Sequence, residues 1–146
     1  MTRRIPTTQE LTTHARLLAL DNSILLFEAD DAPPDLGLSA VHQRRVFVRT
    51  ITDETSYAVA LHEMGHVGHP RGFLRTLETE HDAHLKVQEE ENAWFLARSH
   101  ALDWTVAMEM VYKQAIATYY EAARREVRKR TKRATETVSD FLRRRG

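Results

Sequence analysis

The residues with the densest chemistry in this chain lie in the run Ala58-Val59-Ala60-Leu61-His62-Glu63-Met64-Gly65-His66-Val67-Gly68-His69. Within it, His62, Glu63 and His66 form an H-E-x-x-H spacing. On a helix, residues four apart share a face, so His62 and His66 can offer two imidazole nitrogens to one ion. Glu63 lies one step round the helix and can reach a water bound to that ion. Zinc suits such a site, because it accepts imidazole and carboxylate ligands and keeps a position open for water. The rival reading is a surface helix that carries two of the chain's 8 histidines by coincidence, the usual risk with a short motif.

Two histidines hold zinc poorly, and catalytic zinc sites normally have three protein ligands. The chain has no cysteine, so the third must be His, Asp or Glu. The downstream candidates are His69, His81, Asp82, His84, Glu89, Glu90 and Glu91. A third histidine at the metzincin spacing would fall at position 72, which is Gly72. Helical spacing separates the three glutamates. Ala83, Val87, Glu90, Trp94, Ala97 and Ala101 form one stripe, and Glu90 is its only charged member. The stripe through Glu91 is mixed, with His84, Gln88, Phe95 and Arg98. The one through Glu89 holds Asp82, Leu85, Ala93 and Leu96. A carboxylate facing a core is costly unless it is paired or bound to a metal. Glu90 is therefore the expected third ligand. The plainer alternative is that Glu90 pairs with an arginine.

These side chains require two helices side by side. Asp53-Glu54 opens the first, where acidic residues suit the free N–H groups of a helix start. Tyr57, Ala60, Leu61, Met64 and Val67 give it an apolar side, and Gly68, His69-Pro70 and Gly72 end it. Gly65 inside this helix costs about 1 kcal/mol relative to Ala. That cost points to a close neighbouring backbone or substrate, against the alternative of a merely tolerated glycine. From Leu77 to Tyr120 the chain is helical in character, with two helices joined near Ser99-His100. From Glu121 onward the spacing predicts a highly charged helix, with a thin stripe of Tyr120, Ala123, Val127, Thr131, Ala134, Val138 and Phe141.

Upstream, Thr8 to Ala19 reads as a helix with Leu11, Ala15 and Leu18 on one face, Leu17 beside them, and Thr7 or Thr8 as its cap. Asp21-Asn22 breaks it. Ser23–Glu28 is an apolar run of strand length, expected to be buried on both faces. Residues 30–37 have the chemistry of a loop. Leu38–His42 and Arg45–Arg49 are two further strands, with Gln43-Arg44 as a hairpin turn and Arg45–Arg49 suited to a half-exposed or edge position. Three strands in a row predict a small antiparallel or mixed sheet, so the fold class is α+β. No internal repeat is visible.

With 146 residues, 42% hydrophobic and 29% charged, the chain is expected to form one folded domain rather than a disordered one. Its formal net charge of zero is unevenly placed. Residues 121–146 hold ten Lys/Arg against four Asp/Glu, and residues 1–120 hold eleven against seventeen. An acidic body at 1–120 thus continues into a basic helical tail at 121–146. The N-terminus has no apolar run behind Arg3-Arg4, so no signal peptide is expected. No stretch approaches the ~20 apolar residues of a membrane span. A cytoplasmic protein without a membrane partner is the expectation.

The two helical motifs together resemble a known family. Ala60-Leu61-His62-Glu63-Met64-Gly65-His66, followed by Glu90-Glu91-Asn92-Ala93-Trp94-Phe95-Leu96-Ala97, is similar to the gluzincin metallopeptidases, above all the small ImmA/IrrE-type zincins and related phage or mobile-element proteins. The resemblance covers roughly residues 38–100. It implies a zincin-like fold and one zinc ion held by His62, His66 and Glu90. It also implies Glu63 as general base, and a protein or peptide substrate. Trp94 stands where gluzincins often carry the Asp or Asn that orients a ligand histidine.

Tyr57, His81, His84 and Tyr112 are candidate oxyanion or substrate contacts. The Arg45–Arg49 strand is a candidate for holding an extended substrate by strand addition. Two rivals stand beside the peptidase reading. One is a non-catalytic binding module that keeps the fold. The other is nucleic-acid association through the basic residues of 124–145, less favoured than an exposed helix whose basic side rests on the acidic body or faces water; the same stripe could also mediate association with a partner helix or a second copy.

Overall fold

The computed structural model of the chain describes residues 3–34, 36–68 and 80–145, with the backbone alone at 80–82. The fold is α+β: among the described residues, four helices accompany a three-stranded mixed sheet. Helix α1 (Thr8–Asp21) starts on a reciprocal cap, in which the Thr7 hydroxyl accepts from the Glu10 N–H and the Glu10 carboxylate accepts from the Thr7 N–H. Asn22 closes its end, with its backbone and side-chain N–H groups both donating to the Leu18 carbonyl. Leu11, Ala15 and Ala19 are buried, whereas Leu17 is exposed.

The sheet consists of β1 (Leu25–Ala29), β2 (Leu38–Ala40) and β3 (Arg45–Arg49) in the order β1-β3-β2. The central strand is β3, parallel to β1 and antiparallel to β2. This settles two expectations. Of the half-exposed or edge position expected for Arg45–Arg49, the strand takes the first: one face is buried, but it is not an edge, because both neighbours pair with it. The run containing Leu25–Phe27 is not buried on both faces: β1 is an edge strand, and Leu25 and Phe27 are exposed. Among the described residues helices cover one face of the sheet, where Val46 and Val48 of β3 are buried, and the alternate residues point away.

The β2–β3 link is also longer than a two-residue turn. Strand β2 stops at Ala40, a 3-10 turn follows at Val41–Gln43, and Arg44 takes a left-handed conformation at φ 50°. A non-glycine residue there costs roughly 1–2 kcal/mol. The Arg44 guanidinium offsets this by donating to the carbonyls of Ser23 and Asn22, tying the start of β3 to the start of β1.

Helix α2 (Glu54–Gly68) is the centre of the molecule and touches α1, β2, β3, α3 and α4. Ser56 to Gly65 are buried without interruption, so the helix is enclosed on every side rather than along one stripe. The Asp53 carboxylate accepts from the Ser56 N–H at 2.8 Å and starts it. Gly68 is its last residue; His69, Pro70 and Gly72 lie outside the described residues.

Helix α3 (Glu80–His100) lies against α2, and α4 (Val106–Arg145) lies against both. The joint between them falls at residues 101–105 and is pinned where the Leu102 N–H donates to the Tyr57 hydroxyl at 2.9 Å. Helix α4 runs unbroken through residues 120 and 121. Its last buried residue is Ala123. Beyond it, pairs four apart on the same helix, Glu121–Arg125 and Glu126–Arg130, neutralise part of the basic charge. Among the described residues no helix is long and apolar enough to cross a membrane.

Candidate metal centre

The crossing of α2 and α3 sets the site. At Gly65 a Cβ atom would lie 2.5 Å from the Ala93 carbonyl oxygen, so the two backbones touch where any side chain would hold them apart. This is the close neighbour that the glycine predicts. Contact at Gly65 and Ala93 places the preceding turn of α3, with Glu90, over the histidine face of α2.

The α3 stripe is buried along its length: Trp94 and Ala97 pack in the core with α2, Ala83 and Val87 pack with Ala123 and Tyr119 of α4, and Glu90 between them is only 2% exposed. Its carboxylate meets both histidines. The Glu90 Oε2 lies 2.9 Å from His62 Nε2, and Oε1 lies 3.3 Å from His66 Nε2. His62, His66 and Glu90 offer ligand atoms within 4.8 Å of one another.

This is a buried group that can hold a metal ion. In a tetrahedral site with bonds of about 2.0–2.1 Å, ligand atoms stand roughly 3.3 Å apart. The His66–Glu90 separation has that value already. The His62 contact is made by the other carboxylate oxygen, at the hydrogen-bond distance of 2.9 Å, so a single ion would require the carboxylate to turn one oxygen toward both histidines.

Without an ion the charges of these three residues compensate one another. Burial pushes the Glu90 carboxyl up, but hydrogen bonds and positive charge from His62 and His66 outweigh it and hold it well below the usual carboxylate range. Burial likewise pushes His62 down. Hydrogen bonds to Glu63 and Glu90, with their negative charge, outweigh it and raise His62 above the ordinary imidazole value. The Lys86 ammonium lies 3.4 Å from Glu90 Oε1, one turn earlier on α3. It adds a cation to the site through the four-residue helical spacing.

Trp94 packs directly on the first histidine. Its ring stacks on the His62 imidazole with centroids 4.2 Å apart and planes at 12°. The stack adds a packing restraint on the ring to the Nε2 hydrogen bond with Glu90. The other His62 nitrogen, Nδ1, lies 3.4 Å from Glu63 Oε1. The Trp94 indole N–H is buried with no hydrogen-bond partner among the described residues.

A cleft of about 390 Å³ opens beside His62 and Glu63. Leu36 and Gly37 form one wall, Val59 and Trp94 the floor, and Val111, Ala115 and Tyr119 of α4 the other wall. Gly37 has the closest fit: a Cβ there would fall 2.4 Å from Glu63 Cγ. The backbone before β2 therefore lies directly against the glutamate. Nothing in the sequence marked Gly37 beyond its place in a turn-rich loop.

Tyr119 is the second residue that the sequence did not single out. It lines the cleft near Glu90 and Glu63, and its hydroxyl is pushed up to about 12, first by burial and then by the negative charge of Glu90 and Glu63. The expected contacts fall elsewhere. Tyr57 is fully buried away from the cleft, and its hydroxyl shares a 2.8 Å hydrogen bond with His14 Nδ1. Tyr112 donates to Glu91 at 2.6 Å and packs on Trp94 without lining the cleft. His84 is exposed on α3. The His81 side chain, like His69 and the side chain of Asp82, lies outside the described residues.

Compared with known proteins, the chain matches no protein-family model, no curated protein and no solved structure. The functional reading therefore rests on the residues themselves.

Proposed function

We propose that this chain is a zinc-dependent peptidase of gluzincin type, acting on a protein or peptide. One observation carries the reading: two histidine Nε2 atoms four residues apart converge on a buried carboxylate from the next helix, with Glu63 beside them on an open cleft. His62, His66 and Glu90 would hold the ion. When bound, zinc supplies a water of lowered pKa and polarises the scissile carbonyl.

The remaining steps belong to the chain. Glu63 takes a proton from the attacking water and returns it to the leaving amine. Trp94 keeps the His62 ring in plane. Tyr119, on the cleft wall beside Glu90, is the hydroxyl best placed to donate to the developing oxyanion. Strand addition cannot use β3, which has no free edge. It falls instead to the short edge strand β2 and the Leu36-Gly37 segment that leads into it along the cleft.

The test compares wild type with Glu63→Gln on a library of quenched fluorescent peptides, with zinc content measured in parallel. The expected result is equal zinc and a hydrolysis rate about 10²–10⁴ times lower in the variant. Equal rates would reject Glu63 as the base.

A second reading has its own support. The Lys86–Glu90 contact and the Trp94–His62 stack also suit a charge-balanced binding module with no catalytic turnover. In that case neither protein cleaves any peptide.

A further inference from the structure

The face of the sheet turned away from the helices carries an unusual set of side chains. Phe27 of β1 and Phe47 of β3 are register partners, 44% and 39% exposed. Their rings stack with centroids 4.9 Å apart and planes at 12°. Leu38 of β2 is the next residue in the same row, opposite Phe47. Arg45 and Arg49 lie two residues to either side of Phe47 on β3. Because Val46 and Val48 are buried on the helix side, Arg45, Phe47 and Arg49 share the open face.

Neither arginine has an ion-pair partner among the described residues. The one carboxylate on β1, Glu28, takes part on the other side, bonded to Arg16 at 2.8 Å and to the Ile51 N–H at 3.1 Å. The face therefore presents a stacked aromatic pair between two guanidinium groups, about 13 Å apart along the strand, that have no ion-pair partner among the described residues.

We infer that the open face of the sheet is a binding platform for single-stranded nucleic acid, with a base stacked on the Phe27–Phe47 pair and Arg45 and Arg49 on the flanking phosphates. Every base has a π-face, so exposed aromatic rings beside cationic side chains bind single strands with little sequence preference. Charge argues against a second copy of this chain as the occupant. Two such faces packed together would set the unpaired arginines of both copies against one another. Leu25 and Leu38 extend the apolar floor on either side of the stack and do not alter its charge.

This site is separate from the metal centre and from the basic end of α4, and the test distinguishes all three. Anisotropy of end-labelled oligo(dT) and oligo(rU) is measured on the full chain across a salt series. Binding at low salt is expected. Phe47→Ala should weaken it by about 5- to 150-fold, the worth of one stacked base. Phe47→Tyr should retain it, which separates loss of the ring from loss of fold. Arg45→Gln with Arg49→Gln should flatten the slope of log K against log salt by about 1.4, or 0.7 for each phosphate contact. Neutralising Arg143, Arg144 and Arg145 to Gln should leave the effect of Phe47→Ala in place.

Three results would overturn the inference. One is no binding of either strand at low salt. Another is binding that the α4 variant abolishes and Phe47→Ala leaves untouched. The third is displacement of the labelled strand by polyglutamate as readily as by unlabelled oligo(dT), which would make the face a site for an acidic peptide.

Discussion

Replacing Gly65 by alanine sets two effects of opposite sign against each other. In an isolated helix the change is favourable by about 1 kcal/mol. In this fold the new Cβ would lie 2.5 Å from the Ala93 carbonyl oxygen and 3.1 Å from Ala93 C and Cα, whereas ordinary contact begins at 3.4 Å. All three are backbone atoms, so no side chain can swing away; α3 must move by about 0.9 Å. Overpacking of this kind costs typically 1–3 kcal/mol, so the net expectation is a loss of about 0–2 kcal/mol. The consequence for the site is sharper. Glu90 lies one turn before Ala93, and its separations of 2.9 and 3.3 Å from the two histidines would open by a similar amount. Urea unfolding of the metal-free protein and zinc affinity by competition with a chromogenic chelator measure the two effects. Gly65→Ala should show zinc affinity reduced by an order of magnitude or more. A variant more stable by the full helix-propensity gain, with unchanged zinc affinity, would refute the argument that the crossing at Gly65 sets the site.

Two further outcomes follow from the same geometry. Trp94→Phe retains a ring over His62 and removes the unpartnered indole N–H, so stability should stay within about 1.5 kcal/mol of wild type. Trp94→Ala should lose about 3–5 kcal/mol, and equal melting curves for the two variants would contradict the stacking role. The metal-free protein should also depend on pH with a definite sign. The raised His62 contributes stability fully below its unfolded value of about 6.5, and this is lost as pH rises through the higher folded value. The lowered Glu90 contributes above its unfolded value of 4.5, and this is lost as pH falls through the lower folded value. The stripped protein should therefore melt higher near pH 6 than near pH 8.5, whereas excess zinc should reverse the order, because ligand imidazoles must be neutral. A flat apo profile over that range would remove the His62–Glu90 pair as a stabilising element.

Much of the site was legible because its signals are local. The i, i+4 spacing of His62 and His66 needs only a helix, and the isolation of Glu90 in the stripe Ala83, Val87, Trp94, Ala97 needs only a second one. Gly65 announced a close approach through its helix cost, though not that Ala93 was the neighbour. The sheet was less legible. Val46 and Val48 alternate with charged or exposed residues on a central strand much as they would on an edge. The parallel β1–β3 pairing also joins segments that no turn connects. Leu25 and Phe27 looked like core because an apolar run implies burial, yet no helix among the described residues covers that face. Gly37 and Tyr119 were missed because they reach Glu63 and Glu90 from elements distant in sequence, and neither has a local pattern. The exposed Phe27–Phe47 stack likewise exists only through strand register.

The most direct test of the account is the metal content of protein purified in parallel as wild type, Glu90→Ala and Glu91→Ala. Glu91 sits next to Glu90 on α3 but bonds Tyr112 and Tyr120 instead of the histidines. One zinc per chain in wild type and in Glu91→Ala, with loss in Glu90→Ala, is the predicted result. A wild-type protein that binds no stoichiometric divalent metal at neutral pH, even after zinc addition, would contradict the central claim. His62, His66 and Glu90 would then be a buried ion-pair cluster and no metal centre.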